Sequence, residues 1–488
     1  MKRTIYILLA MLLGAALPSC INREESTPWK DLSEQDQERY FVNTFGYNMM
    51  ATYYLWCDEV KEGLRKWGAK ADPVETVRDL RYKEDGKEVD RWSMMTDDYQ
   101  SFYDMLQGNS KTMGIELSMY YADETKQNVI LVVNYTYAGS PAAVAGLKRG
   151  DKILAVNDQL LTPDNCASLV NSAIFNSDSV KLTKDDDTTL TIMARDMYLE
   201  PILCHKVIEQ GSRKIGYLHY TSFTLKSCAP LVEVFREFKN AGVNEIVLDL
   251  RYNGGGYAIA SELLGSLVVP EVEVQRGSVF LTEVFNKQLT DAWDDTRKMS
   301  NFRTRFVIDD EKEGEQTVLS SGANPNVSKL YVIITGGTAS ASESTVCGVS
   351  PYMDVTLVGE QSHGKYCAGI VVDGPTWYSW NRNAFGEKTF HAALEKSKNW
   401  GIYVMVSRFA DKSGETICMP DGLTPDITVG DNPLDGFQLG DPGETMLAAV
   451  LAGKTPASTR KALSHGPIRM EKQLEKESFM ILDKPSIK

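Results

Sequence analysis

The chain has 488 residues, of which 43% are apolar and 24% charged, and its 52 basic and 66 acidic side chains give a net charge of −14 at pH 7. This composition excludes wholesale disorder and collagen-like or other fibrous character. The acidic balance gives no electrostatic footprint for a phosphate backbone, so we expect no nucleic-acid partner. The length predicts about two to four domains, each large enough to bury a core.

The first twenty residues predict an export signal. Basic residues precede an uncharged run from Ile5 to Leu17, which is too short to span a bilayer as a mature helix. Residues 17–20 read Leu-Pro-Ser-Cys and resemble the lipobox of bacterial lipoproteins, in which the cysteine becomes the lipidated first residue. We therefore expect residues 1–20 to be a lipoprotein signal peptide, Cys20 to be lipidated, and the protein to be held in the cell envelope by that lipid alone. We expect it at the outer membrane or the cell surface, and the sequence leaves open whether it faces the periplasm. The alternative is a plain cleaved signal.

The remaining cysteines and the histidines predict neither a disulfide framework nor a metal site. The chain has eight cysteines, so an odd number follows Cys20, and none has CxxC spacing. Most are expected to be small buried apolar residues. The five histidines are scattered without an HExxH motif, and we expect no cofactor.

Residues 21–108 are predicted to form a small helical domain. Aromatic residues recur there at helical spacing, first at Tyr40, Phe41 and Phe45 and then around Tyr53. We interpret them as the core of this domain rather than as a ligand cage.

The next segment, 109–198, is rich in strand and turn signals. Ser140 is suited to cap a short helix that begins at Pro141, and Gly146 suits the left-handed residue after its end. Gly150 and Asp151 then turn the chain into an apolar strand. Taken with the strand-like residues 129–134, this pattern resembles a PDZ domain.

The PDZ resemblance implies a peptide-binding loop and strand. In such domains the loop presents backbone N–H groups to the terminal carboxylate of a peptide that adds as an extra strand. The corresponding residues here are Gly114, Ile115, Glu116 and Leu117. A packing module with an unused groove is the alternative.

Residues 199–432 alternate strands and helices. Strand-like runs lie at 215–220, 245–250 and 330–335, and the segment 231–238 has apolar residues at helical spacing. Such alternation predicts an α/β domain with a mostly parallel sheet covered by helices. Residues 433–488 are expected to form a polar tail with one apolar helix at 446–451.

Two turns that follow predicted strands carry the candidate chemistry. Ser340 lies where a strand ends and a helix begins, so the amide of Ala341 is unpaired at the positive end of that helix. Free amides near Gly255 and Gly256 could face the same point, because glycine lets a backbone approach closely. Such donors form an oxyanion hole, in which one donor is worth about 3 to 4 kcal/mol of barrier.

Lys365 is the candidate base for Ser340. It follows the strand-like residues 355–358, and a crossover helix between neighbouring parallel strands would bring both side chains to one edge of the sheet. Lysine is a base only when neutral, so its pKa must fall from about 10.4 towards 7, which requires about 4 kcal/mol of desolvation and like-charge repulsion.

These residues and their spacing resemble the S41 serine peptidases, the C-terminal processing or tail-specific proteases. The resemblance rests on 249–256, 338–343, the Ser340 to Lys365 spacing and 422–426. It implies a multidomain α/β fold with a ClpP/crotonase-like core at 199–432, and an exported serine endopeptidase whose substrate is a polypeptide. Ser340 would be the nucleophile, Lys365 the general base, and Gly255, Gly256 and Ala341 the oxyanion donors. A weak or inactive peptide-binding lipoprotein is the alternative, and the oligomeric state is left open.

One position departs from the family pattern. The residue that orients the lysine is commonly a carboxylate eleven residues after the serine or a glutamine four after the lysine, and here these positions hold Pro351 and Gly369. Asp354 and Glu343 are possible substitutes, and a dyad with water or another partner is equally open.

Other readings of the same residues are weaker. The segment 359–366 nearly matches a phosphate-binding P-loop, but Tyr366 replaces the Ser or Thr and a strand, not a helix, is expected next. The segment 362–365 matches the S-x-x-K signature of penicillin-binding proteins, which should open a helix. His363 as a catalytic participant and Ser342 as the nucleophile remain minor alternatives.

Overall fold

The structure is a computed structural model, and it describes residues 28–292, 303–306, 322–454, 467–470 and 479–482. The signal segment and Cys20 lie outside these residues, so export and lipidation stay predictions. Within the described ranges, every helix is too short or too polar to cross a bilayer.

The N-terminal region is helical but is not separate from the rest of the protein. Ser33 caps its first helix by accepting a hydrogen bond from the amide of Asp36 at 3.2 Å. That helix packs its aromatic face on later helices, with the rings of Phe41 and Tyr378 6.1 Å apart and their neighbours in one shared core. The helices are Glu34–Thr52, Lys61–Leu64, Pro73–Asp79 and Tyr99–Leu106, and the short strands are Lys83–Glu84, Lys87–Glu88 and Met94–Thr96.

The PDZ-like region is built on an antiparallel sheet that wraps short helices. Ser140 caps Pro141–Val144 by accepting from the amide of Ala143 at 3.2 Å, and Gly146 has a φ of +88°, which confirms the predicted cap and turn. The central sheet has the order Thr189–Met193, Ser179–Lys184, Lys152–Val156, Val129–Thr136, Ile115–Tyr121 and Ile468–Arg469, with Gln159–Leu160 beside Lys152–Val156. Helix Cys166–Leu169 continues as a π-helix over Val170–Phe175, and strands Asn109–Thr112 and Arg195–Tyr198 pair to close the region.

The first sheet of the core confirms the predicted parallel arrangement. Its six strands have the order Ile202–Gln210, Arg213–Tyr220, Glu245–Asp249, Lys329–Ile334, Asp354–Gly359 and Ile427–Thr428. The first pair is antiparallel, and each later pair is parallel. The carboxyl ends of the five parallel strands, from Arg213–Tyr220 to Ile427–Thr428, therefore meet at one edge, where ligand crevices form in such sheets.

A second, mixed sheet was not predicted. Its order is Gly255–Tyr257, Phe479–Ile481, Cys367–Asp373, Gly401–Ala410, Val279–Phe285 and Arg303–Arg305, and Met94–Thr96 pairs with the start of Gly401–Ala410. The helices of the core are Cys228–Asn240, Ala258–Val268, Glu271–Gln275, Lys287–Ala292, Ala341–Val349, Gly374–Trp380, Glu387–Lys396 and Thr445–Ala452, with 3-10 turns at Leu225–Ser227 and Arg382–Ala384.

The described cysteines are largely buried. Cys204 is partly exposed, and the others, Cys57, Cys166, Cys228, Cys347, Cys367 and Cys418, are buried. Most therefore occupy the small apolar role that the sequence predicts.

Candidate active site

Ser340 lies at a strained turn between a strand and a helix. The strand Lys329–Ile334 ends six residues before it, and the helix Ala341–Val349 begins directly after it. The backbone of Ser340 has φ +64° and ψ −110°, a region that L-residues other than glycine rarely adopt. Its side chain is buried, and Oγ makes no hydrogen bond within the described residues. The turn thus holds an uncommitted hydroxyl at a helix N-terminus.

Ser342 is a poorer nucleophile candidate than Ser340. Its hydroxyl donates to the carbonyl oxygen of Asn253 at 3.1 Å. That bond ties the nucleophile turn to the glycine-rich turn. The hydroxyl of Ser342 is therefore engaged in structure, whereas that of Ser340 is not.

The structure brings the predicted oxyanion residues to Ser340. A Cβ placed on Gly255 would lie 2.9 Å from Cβ of Ser340 and 3.0 Å from the amide nitrogen of Ala341, so a side chain at Gly255 would fill the site. The amide of Gly255 donates to Oδ1 of Asn253 at 2.9 Å and must exchange that bond before it can serve a substrate. The amide of Ala341 occupies the first helical position, where no intrahelical acceptor exists.

Gly256 is fixed between two chain segments. Its φ is +141°, and an added Cβ would lie 2.3 Å from the carbonyl oxygen of Phe223. The strand that begins at Gly255 is therefore held on one side by Phe223, and Phe479 lies opposite Gly255 on the other side. The oxyanion role of both glycines remains a prediction.

Lys365 is a buried amine in an aromatic cage. Its Nζ donates to Oη of Tyr403 at 3.1 Å and lies 5.1 Å from the ring centroid of Trp92, 5.0 Å from that of Tyr403 and 5.7 Å from that of Phe479. Burial lowers the pKa of Lys365 to about 7; Cys367, Asp90 and Glu343 oppose this shift, and Arg91 adds to it. A large fraction of this lysine is therefore neutral near pH 7, as the sequence argument requires of a base.

Glu343 joins the nucleophile turn to the loop that carries Lys365. One carboxylate oxygen accepts from the amides of Ser340 and Lys365, each at 2.8 Å. The other accepts from the hydroxyl of Ser362 at 2.5 Å and from the amide of Gly364 at 2.7 Å. Burial raises the pKa of Glu343, and these four donors oppose the shift because they stabilise the carboxylate.

The two carboxylates considered for orienting the lysine lie in different places. Glu343 positions the backbone of Lys365, as described above. Asp354 lies on the surface and pairs with Nζ of Lys329 at 3.0 Å. Nζ of Lys365 donates a hydrogen bond to Oη of Tyr403, a residue that the sequence analysis missed.

Trp92 also escaped the sequence analysis. It follows Asp90, whose buried carboxylate accepts from the amides of Trp92 and Ser93 at 2.9 and 3.0 Å and from the hydroxyl of Tyr54 at 2.7 Å. This turn directs an N-terminal ring onto Lys365. A carboxylate two residues before a tryptophan is too common a pattern to have identified the contact.

The structure contradicts the P-loop and S-x-x-K interpretations of the segment around Lys365. The strand Cys367–Asp373 begins two residues after Lys365, whereas a P-loop and an S-x-x-K motif both require a helix there. The ring of His363 packs 6.2 Å from that of Trp92, and burial lowers its pKa to about 4. Its amide donates to the carbonyl oxygen of Thr338 at 2.9 Å, so His363 supports the loop.

The predicted peptide loop of the PDZ-like region is also formed. Gly114 has a φ of +68°, and its carbonyl oxygen accepts from Oγ of Ser140 at 3.1 Å and from the amide of Tyr137 at 3.0 Å. Glu116 and Leu117 follow in the strand Ile115–Tyr121. A carboxylate-binding role for Gly114, Ile115, Glu116 and Leu117 stays a prediction.

Comparisons with known proteins identify similar families for two parts of the chain. A model of peptidase family S41 matches residues 214–374, and a PDZ domain model matches residues 132–172. A carboxyl-terminal-processing protease of Synechocystis sp. is 24% identical over 345 residues, which are 69% of this chain and 67% of that protein. Carboxyl-terminal-processing peptidase 1 from the chloroplast of Arabidopsis thaliana is 25% identical over 52% of this chain and 47% of its own length.

A solved structure shows the same fold. An S41-type protein of Bacteroides fragilis superposes with a TM-score of 0.58 at 20% identity, over 84% of this chain and 97% of that one. These matches confirm the predicted resemblance to serine peptidases of family S41, the presence of a PDZ domain and the multidomain α/β fold.

Proposed function

We propose, from the S41 and PDZ matches and the buried site, that this chain is a serine endopeptidase that cleaves polypeptides by acyl transfer. The observation that carries the proposal is the juxtaposition made by Glu343, whose single carboxylate binds the amides of both Ser340 and Lys365. This carboxylate holds the turn of Ser340 beside the loop of Lys365. The hydroxyl of Ser340 makes no hydrogen bond within the described residues, and burial lowers the pKa of Lys365 to about 7.

The reaction follows from these groups. Oγ of Ser340 attacks the scissile carbonyl while Nζ of Lys365 accepts the hydroxyl proton. The amide of Ala341 stabilises the oxyanion, joined by those of Gly255 or Gly256. Collapse breaks the peptide C–N bond, and the lysine returns its proton to the leaving amine. A water molecule, again deprotonated by Lys365, then hydrolyses the acyl-enzyme and frees Ser340.

The outer parts of the chain belong to the same proposal. The PDZ domain would capture polypeptide ends on the strand Ile115–Tyr121, next to the loop at Gly114. A lipid on Cys20 would tether the exported enzyme to the cell envelope. Metabolic labelling with a palmitate analogue tests the anchor, because Cys20→Ala should remove the label.

Ser340→Ala should abolish cleavage. Chain lacking residues 1–20 is incubated with unfolded polypeptides and with a fluorophosphonate probe that reacts with activated serines. The unaltered chain should cleave and take up one probe, and Ser340→Ala should lose at least about 10³-fold in rate and all labelling. Ser342→Ala is the matched control: it should keep the labelling and stay within about tenfold of the unaltered rate, because it loses one structural hydrogen bond and not the nucleophile. Equal cleavage by all three chains would remove Ser340 from the mechanism, and no cleavage by any would favour a peptide-binding protein.

The rate should rise with pH through about 7. The pKa of Lys365 is lowered to about 7, and the neutral amine is the active form, so kcat/KM increases as pH rises past that value. Burial also raises the pKa of Glu283 to about 7, so Glu283→Gln serves as the control and should keep the same profile. A rate that stays flat from about pH 6 to about pH 9 would count against lysine as the titrating base.

Tyr403→Phe should reposition the base without removing it. The variant keeps the ring over Lys365 but loses the oxygen that accepts from Nζ at 3.1 Å. That bond favours the charged amine, so the rising limb of the pH profile should move down by about one unit, while kcat falls about tenfold. A purely structural role for Tyr403 would lower stability and leave the apparent pKa in place.

A further inference from the structure

The strand Phe479–Ile481 lies inside the candidate active site. It is inserted in the second sheet between Gly255–Tyr257 and Cys367–Asp373 and runs parallel to both. The amide of Phe479 donates to the carbonyl oxygen of Gly254 at 3.0 Å, and the amide of Leu482 donates to that of Gly369 at 2.9 Å. An extended segment of this chain thus forms a backbone ladder with the strand that carries the predicted oxyanion glycines.

The carbonyl group of Phe479 lies close to the nucleophile. The position of a Cβ placed on Gly255 is 2.2 Å from the carbonyl oxygen of Phe479, 2.9 Å from Cβ of Ser340 and 3.0 Å from the amide nitrogen of Ala341. The carbonyl oxygen of Phe479 and Cβ of Ser340 therefore both lie within 2.9 Å of this one position. A peptide carbonyl of the chain itself occupies the neighbourhood in which a scissile carbonyl would be attacked.

The side chain of Phe479 fills an aromatic pocket beside the base. Its ring centroid lies 5.6 Å from that of Phe102 and 5.4 Å from that of Tyr403, and 5.7 Å from Nζ of Lys365. The pocket combines residues from the N-terminal region and the second sheet. Its aromatic walls suit a large aromatic or aliphatic side chain.

A second stretch near the C-terminus, residues 467–470, lies on the PDZ domain. Ile468 and Arg469 pair antiparallel with Tyr121 and Tyr120, and the amide of Met470 donates to the carbonyl oxygen of Met119 at 3.1 Å. This is strand addition to the edge of the strand that begins in the predicted peptide loop. Arg469 also pairs with Glu360 at 2.8 Å, which anchors the segment to the core.

We propose that residues 467–470 and 479–482 together are a tethered ligand of the enzyme's own peptide path, the first on the PDZ strand edge and the second in the candidate catalytic cleft. The proposal rests on the proposed function and assigns its substrate geometry: an extended polypeptide runs parallel to Gly255–Tyr257, with a large apolar residue in the pocket of Phe479. Until a substrate displaces Phe479–Ile481, that strand covers Ser340, which is fully buried.

The test compares two chains that differ by the strand alone. One ends at residue 478 and the other, the matched control, ends at residue 482 and keeps the strand. In both, Ser340→Ala prevents turnover, and the probe is a fluorescent synthetic peptide with the sequence of residues 475–486. The shorter chain should bind the peptide at least tenfold more tightly than the control, and a probe peptide carrying Phe479→Asp should not bind. Equal binding to both chains would overturn the proposal.

Activity separates this proposal from the proposed function. With Ser340 restored, the chain that ends at 478 should cleave unfolded polypeptides at least tenfold faster than the control. If peptide binding differs between the two chains but neither chain cleaves, the proposed function fails and the tethered-ligand proposal stands. If both chains bind the peptide equally and cleave equally, the tethered-ligand proposal fails and the proposed function stands. If the shorter chain does not fold, Phe479→Ala in the full chain replaces it, because this variant empties the pocket and keeps the backbone. Unchanged binding and rate in that variant would also overturn the proposal.

Discussion

Lys365→Met should lower kcat for polypeptide cleavage by at least about 10³-fold while the protein stays folded. The neutral amine is the proton acceptor for Ser340 in the proposed reaction, and general bases contribute about 10² to 10⁴ in rate. Methionine has a similar length and no base, so it removes the proton transfer and fills the aromatic cage. Lys365 is fully buried at a pKa lowered to about 7, so the substitution also removes the cost of keeping an amine in an apolar site. We therefore expect stability to be kept or raised as activity is lost.

Single-turnover rate constants measure the loss of activity, and thermal unfolding of the same variant measures the change in stability. Lys412→Met is the control, because Lys412 also lies over an aromatic ring, 3.8 Å from the centroid of Tyr352, but is exposed and outside the site. It should change the rate less than about twofold. A Lys365→Met enzyme within tenfold of the unaltered rate would assign the base to another group.

The two turns of the candidate site could be predicted because their sequence signals are local. A strand that ends in a serine before a helix, and a glycine-rich turn after another strand, are readable within a few residues of sequence. The spacing from Ser340 to Lys365 corresponds to one crossover to a parallel neighbour, and the structure has that crossover, from Lys329–Ile334 to Asp354–Gly359. Parallel pairing brings the two loops to one edge without further information.

The surroundings of the base could not be predicted, because they come from distant parts of the chain. Trp92, Tyr403 and Phe479 all face Nζ of Lys365 within 5.7 Å. In its own segment of sequence, each looks like an ordinary aromatic residue of the core. The second sheet brings them together through both parallel and antiparallel strand pairs, and the hydrophobic periodicity of the sequence does not specify which strands pair. The same sheet explains why residues 28–108 share a core with the peptidase region, since Met94–Thr96 is one of its strands.

A cluster of buried charged residues lies next to the glycine-rich turn. Arg251 is fully buried and pairs with Asp249 at 2.7 Å, with Glu444 at 2.7 Å and with Asp431 at 2.9 Å. Arg149, from the PDZ domain, pairs with the same Asp431 at 2.7 Å. Burial would raise the pKa of Asp431, but the two guanidinium groups hold it well below its usual value. The cluster therefore joins the PDZ domain to the residues directly before the turn at Gly255.

Arg251→Met should destabilise the protein by about 3 to 5 kcal/mol. Removing one partner of a buried ion pair leaves uncompensated charge in an apolar interior, and here Asp249 and Glu444 would lose their paired cation. Urea unfolding followed by circular dichroism measures the change in the free energy of unfolding. Arg276→Met is the matched control, because its pair with Glu273 at 3.1 Å is surface-exposed at the arginine, and it should cost less than about 1 kcal/mol. A loss in Arg251→Met no larger than in this control would show that the three carboxylates do not depend on Arg251 for compensation.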